Sequence, residues 1–151
     1  MSSVSIQAVS RTFEGHKGQR THALLPVDFE VRDNDFVTIL GPSGCGKSTL
    51  LRIVAGLDHA TSGRVLLDGV SVEGPGADRG MVFQSYTLFP WLTIEQNIRF
   101  GLRERGMPEA QQKERAAYFI AKVGLRGFEQ HFPKQLSGGM QQRTAIARAL
   151  A

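Results

Sequence analysis

The order of apolar and polar positions divides the chain into a strand-rich first part and a helical second part. Val4, Ile6 and Ala8 alternate with Ser5 and Gln7, and Val27, Phe29 and Val31 alternate with Asp28 and Glu30. A period of two predicts half-buried strands of an antiparallel layer. Phe36-Val37-Thr38-Ile39-Leu40 is an apolar run that predicts a buried strand leading into a glycine-rich segment. Behind it, Leu50, Leu51, Val54 and Leu57 fall at helical spacing, with Gly56 as the stop. Residues 64–72 predict a hairpin turning at Asp68-Gly69. Met81-Val82-Phe83 predicts a short buried strand with Gln84 at its polar end. After Pro90 the pattern becomes helical. Thr93 and Gln96 have capping-box spacing ahead of Ile94, Ile98 and Leu102. Pro108 suits the first position of a helix that reaches Val123 before Gly124. No internal repeat or low-complexity tract interrupts this order.

Composition narrows the class. Apolar residues make up 41% of 151, enough for a packed core and too many for a disordered chain. Lys plus Arg exceed Asp plus Glu by 18 to 14, a net charge of +4 that is spread along the chain. Neither a dense basic cluster nor a nucleic-acid module is present, so no nucleic-acid partner is expected. Cys45 is the one cysteine, which excludes an internal disulfide and suits a reducing, intracellular setting. No signal pattern opens the chain, and no run approaches the roughly 20 apolar residues that cross a bilayer. Service to a membrane would therefore run through a partner.

Gly41-Pro42-Ser43-Gly44-Cys45-Gly46-Lys47-Ser48-Thr49 fits the phosphate-loop pattern G-x-x-x-x-G-K-[ST]. Successive backbone N–H groups in such a loop converge on phosphate, and the helix behind them adds positive potential. Lys47 can reach the β- and γ-phosphates, and the Ser48 hydroxyl can ligate Mg²⁺. The pattern has its required context: an apolar run before it and an amphipathic helix after it. Cys45 is either a small filler whose backbone does the binding or a thiol activated by Lys47 and the helix start. Leu136-Ser137-Gly138-Gly139-Met140 is a second glycine pair, with Ser137 as a plausible N-cap. Two glycines in a first helical turn cost stability, which suggests that an anion approaches the backbone there.

Together these motifs resemble the ATP-binding subunits of ABC transporters, over the whole chain. The resemblance implies an α/β fold: a P-loop NTPase core with an antiparallel β layer and a helical subdomain. Residues 1–90 would hold the nucleotide-binding core, 91–136 the helical subdomain and 137–151 the start of the signature helix. In the family, the signature corresponding to Ser137, Gly138 and Gly139 closes over the γ-phosphate held by a second subunit, in a head-to-tail dimer. Gln84 is similar to the glutamine that touches Mg²⁺ and the attacking water and senses the membrane subunits. Phe13, in Ser10-Arg11-Thr12-Phe13 of an exposed loop, is placed like the aromatic that stacks on adenine; the alternative is a ring that covers the edge of the β layer. Residues 74–84 and Leu88-Phe89-Pro90-Trp91-Leu92-Thr93 are similar to the taurine, sulfonate and nitrate importer branch. There Phe89 and Trp91 would help receive a permease coupling helix, or they are ordinary core rings. Met140 stands where many relatives have Gln, which touches only a side-chain contact.

The family's catalytic carboxylates come after the signature helix, and a later His contacts the γ-phosphate. The last acidic residue here is Glu129, and His16, His22, His59 and His131 all precede that region without metal-ligand spacing. Val65-Leu66-Leu67-Asp68 imitates the metal-site strand, but Asp68-Gly69 is a hairpin signal. These 151 residues are thus expected to be an incomplete domain, poorly folded and inactive alone. The leading function is the ATP- and Mg²⁺-dependent ATPase subunit of an importer for a small anion such as a sulfonate, taurine or nitrate. It would act at the inner face of the plasma membrane with permease subunits contacted near residues 84–93, and indirectly with a solute-binding protein. A non-catalytic nucleotide-binding fragment and a soluble ABC-type ATPase remain the alternatives.

Overall fold

The computed structural model describes residues 3–15, 18–85 and 87–151. The chain forms two compact units, Met1–Arg79 and Gly80–Ala151.

In the first unit, β1 (Val4–Glu14), β2 (Arg20–Val31), β3 (Ser62–Leu67) and β4 (Val70–Ser71) form one sheet. Their order is β2-β1-β3-β4, antiparallel throughout, as the alternation predicts. Helix α1 (Lys47–Val54) covers one face. Its Leu50 and Ile53 meet Ile6, Val9, Leu24 and Val65 in a single buried cluster. Each side chain so buried stabilises the unit by about 1.5–3 kcal/mol. Leu51 and Leu57, expected in the apolar stripe, are 48% and 46% exposed. An eight-residue helix buries one narrow stripe, and Ile53, three residues beyond Leu50, supplies it.

The strict alternation of β1 breaks at Ala8. Its φ is 48° and its side chain is exposed, so Val9 takes the inward place expected for Ala8. The ladders to β2 and β3 both shift at this point. A β-bulge adds one residue and reverses the facing of the residues beyond it. The Ala8 N–H, freed from the ladder, donates to Asp28 Oδ1 at 2.6 Å. The predicted hairpin forms: Asp68 and Gly69 have φ of 51° and 80° between β3 and β4.

The two expected buried strands do not form. Residues 36–40 are irregular, with Phe36 95% and Leu40 86% exposed. Residues 81–83 are irregular too. A parallel strand exists only through hydrogen bonds to its neighbours, and among the described residues neither run has one.

The second unit packs α2 (Ile94–Glu104), α3 (Glu109–Lys122) and α4 (Gly138–Leu150) around Ile94, Ile98, Ala116, Ile120, Leu125, Leu136 and Ala147. The predicted capping box is present: Gln96 N–H donates to Thr93 Oγ1, and Thr93 N–H donates to Gln96 Oε1. Pro108 stands one position earlier than expected, as the cap of α3 rather than its first residue. The helix closes at Val123, before Gly124 at φ 68°. Arg143, from α4, donates to the Val123 carbonyl at 2.8 Å and so satisfies the end of α3.

Candidate functional site

The glycine-rich loop of the first unit is set by three backbone demands. Gly44 and Gly46 have φ of 83° and 95°, which side chains rarely adopt. Gly46 is the cap of α1 and makes no side-chain bond, so the first N–H groups of the helix are left for a ligand. A Cβ on Gly46 would overlap the carbonyl oxygen of Ala23 in β2. A Cβ on Gly41 would lie 2.7 Å from Cys45 Sγ. Pro42, Ser43, Gly44, Cys45 and Ser48 are exposed, whereas Lys47 and Thr49 are half-buried. Lys47 Nζ folds back on the loop, donating to the carbonyls of Gly41 and Pro42 at 2.7 Å each. It also lies 3.5 Å from Cys45 Sγ. The ammonium is held over the loop, where an arriving phosphate would draw it away from two carbonyls.

Phe13 lies on β1, paired with Thr21 of β2. The strand runs further than its apolar alternation, because Arg11, Thr12 and Phe13 are carried by ladder bonds and not by burial. Its ring is 43% exposed. Between the pairs Arg11–Leu24 and Thr12–His22 the ladder skips Ala23, the residue that touches Gly46. Phe13 is therefore one strand across and two residues along from the loop's contact, about 7 Å along the strand. That spacing is on the scale of a nucleoside triphosphate.

In the second unit, Ser137 caps α4 as expected, accepting from the Met140 N–H at 3.3 Å. Gly138 and Gly139 open the helix and are exposed. A Cβ on Gly139 would meet nothing within 4 Å, and its φ is ordinary. Packing among the described residues thus gives no reason for a glycine there.

Gln84 is exposed and lies in irregular chain, where a strand end was expected. The segment after it is held by two residues that the sequence reading misses. Asn97 is fully buried; it accepts from Phe89 N–H at 2.8 Å and donates to the carbonyls of Phe89, Leu92 and Thr93. Arg148 donates to the carbonyl and hydroxyl of Thr87 at 2.9 and 3.1 Å and lies 5.4 Å over the Phe89 ring. Burial pushes its guanidinium pKa down from the ordinary arginine value. A polar residue at an apolar phase of a helix was the available signal for Asn97; Arg148 gave none. Phe89 packs on Phe100 at 4.5 Å, while Trp91 is 70% exposed and is not a core ring. Among the described residues no cluster of His, Cys, Asp and Glu could hold a metal, and no helix is long and apolar enough to cross a membrane.

A glycine-rich loop with the phosphate-loop pattern at one uncapped helix start, and a second glycine-opened helix, are the features expected of a nucleotide-binding class of protein. The family model for ABC transporters matches residues 24–151, and the chain belongs to that family. It is 56% identical over 148 residues to an uncharacterised ABC transporter ATP-binding protein of Methanocaldococcus jannaschii, covering 98% of this chain and 55% of the relative. It is 49% identical over 148 residues to a nitrate import ATP-binding protein of Synechocystis, with the same coverage. A taurine import ATP-binding protein of Burkholderia pseudomallei is 48% identical over 151 residues, 100% of this chain and 58% of the relative. The chain thus spans little more than half the length of these relatives. A dimeric ATP-binding cassette solved in a post-hydrolysis state with ADP and Pi superposes with a TM-score of 0.88 at 36% identity, covering 98% of this chain and 69% of that one. The fold is that of an ABC ATPase cassette, which agrees with the α/β class expected.

Proposed function

We propose that the chain is part of the ATP-binding subunit of an ABC importer that couples ATP binding and hydrolysis to uptake of a small anion, a sulfonate, taurine or nitrate. The carrying observation is the loop from Gly41 to Lys47, whose positive-φ glycines leave the start of α1 uncapped beneath a lysine. Gly41, Pro42, Ser43, Gly44, Cys45 and Gly46 cradle the phosphates through their backbone, and Lys47 neutralises the β- and γ-phosphates. Cys45 contributes its backbone, and its side chain fills the space above Gly41. Mg²⁺ keeps most of its waters and arrives with the nucleotide, so the exposed Ser48 hydroxyl beside the loop fits as its protein oxygen. When bound, the ion neutralises charge on the phosphate oxygens. Thr49 supports the loop from the next helical position. Phe13 stacks on the base.

Ser137, Gly138 and Gly139 present N–H groups to a nucleotide held by a second ATP-binding subunit, head to tail; the dimeric state of the solved cassette supports this. Gln84 reports the nucleotide's state to permease subunits, which dock on residues 84–93 where Trp91 is exposed. The names of the nitrate and taurine import relatives support the solute class; work at the inner face of the plasma membrane, through permease subunits, is part of the same proposal. The domain division at 1–90, 91–136 and 137–151 belongs to the same proposal.

Calorimetric titration of MgATP into this chain and its Lys47→Ala variant tests the reading. The variant is expected to bind at least about tenfold more weakly, the loss of a charge-assisted contact. Equal affinities, or no binding by either chain where both melt cooperatively, would overturn it.

A further inference from the structure

Arg11 is engaged in a way that neither the phosphate loop nor the core requires. It shares a face of β1 with Phe13, two residues on, and its guanidinium carbon lies 4.5 Å from the centre of that ring. Its Nη2 is 2.8 Å from Asp58 Oδ1, and the two side chains are 23% and 20% exposed. Its Nε is buried with no hydrogen-bond partner among the described residues. Among the described residues the guanidinium is located by one carboxylate and one ring face. Asp58 lies just beyond α1, the helix that begins at the phosphate loop.

A cation over a ring face draws on the ring quadrupole and restricts the ring's rotation. It also occupies that face and leaves the opposite one for a planar group. We infer that Arg11, anchored by Asp58, is the positioning residue for Phe13 and sets the base-dependent part of nucleotide affinity. The inference rests on the proposed stacking of the base on Phe13. Holding the ring removes rotational freedom that base binding would otherwise have to restrict. Asp58 keeps the guanidinium from swinging away, so the pair and the ring act as one platform.

The test compares MgATP with inorganic tripolyphosphate plus Mg²⁺, which has the charge and no base, by calorimetry on this chain. Arg11→Ala is expected to weaken ATP about three- to fivefold and leave tripolyphosphate unchanged. Asp58→Asn should do the same to a smaller extent, and Arg11→Lys should recover part of the loss. Equal weakening of both ligands would mean a structural role and overturn the inference. Unchanged ATP affinity would overturn it too, and tighter ATP binding would mean that Arg11 blocks the base. Phe13→Ala separates the two readings: if it leaves ATP affinity intact, the stacking assignment fails first. If it weakens ATP while Arg11→Ala does not, only the positioning role fails. A wild-type chain that binds neither ligand would remove the phosphate site itself, and this inference with it.

Discussion

Helix α1 follows a glycine cap and helix α4 opens on glycine, yet the two starts are built on different principles. At α1 the glycines are conformational: Gly44 and Gly46 stand at positive φ, and Gly46 also lies hard against β2. No side chain caps that helix, and a lysine comes next. At α4 the turn is ordinary, Ser137 caps it, and Gly139 faces open space. The first start, proposed as the phosphate cradle, is shaped by its own unit. The second is an exposed pair of N–H groups, and packing among the described residues gives no reason for the glycine at 139. This difference suits a site whose halves belong to different subunits, and it can be broken by substitution.

The largest effect should come at Gly46. An alanine there would take on a forbidden φ and overlap the Ala23 carbonyl, at a cost of about 3 kcal/mol or more. Gly46→Ala should therefore lower the thermal midpoint and abolish MgATP binding together. A variant that melts like the wild type would mean that the loop is not shaped by β2, and the contrast with α4 would lose its basis.

The same contrast explains what could be read in advance. The helical unit was legible because its signals are local: the Thr93–Gln96 box, Pro108 before α3 and the Ser137 cap each act within a few residues. The hairpin at Asp68-Gly69 was legible for the same reason. The sheet unit hid what depends on distant partners. The bulge at Ala8 answers Gly63, which sits where Cβ would overlap the carbonyls of Gln7 and Ala8 from another strand. The apolar content of residues 36–40 signalled burial, but nothing within the run could supply a ladder neighbour. In the candidate site, the positive-φ glycines and the uncapped start of α1 were implicit in the loop's motif. The Arg11–Phe13 stack and the Arg148–Thr87 contact join side chains to surroundings that no spacing rule reports.

Ser137 offers a smaller effect. Its hydroxyl is the cap of α4, and removing such a cap costs about 1 kcal/mol. Ser137→Ala should lower the melting midpoint by a few degrees without altering MgATP binding by the chain, because in the proposed site Ser137 serves a second subunit's nucleotide. A matching loss of MgATP affinity would show that both starts serve one nucleotide within one chain, and the comparison would collapse.

Gly139 gives the smallest shift and the sharpest sign. An alanine at this position meets nothing within 4 Å and needs no unusual φ, so intrachain packing does not oppose it. Alanine is the better helix former by up to about 1 kcal/mol, less in a first turn than in an interior. Gly139→Ala should therefore raise the melting midpoint of the chain slightly, opposite to Gly46→Ala. Its cost should appear elsewhere. A methyl group above the exposed N–H groups would keep an incoming phosphate at a distance, so in the proposed head-to-tail pairing nucleotide-driven association should weaken while MgATP binding by each chain persists. Stabilisation with loss of association is the signature of a glycine kept for a partner's ligand. A fall in the melting midpoint would mean that Gly139 serves its own helix, and the two starts would then differ in degree and not in kind.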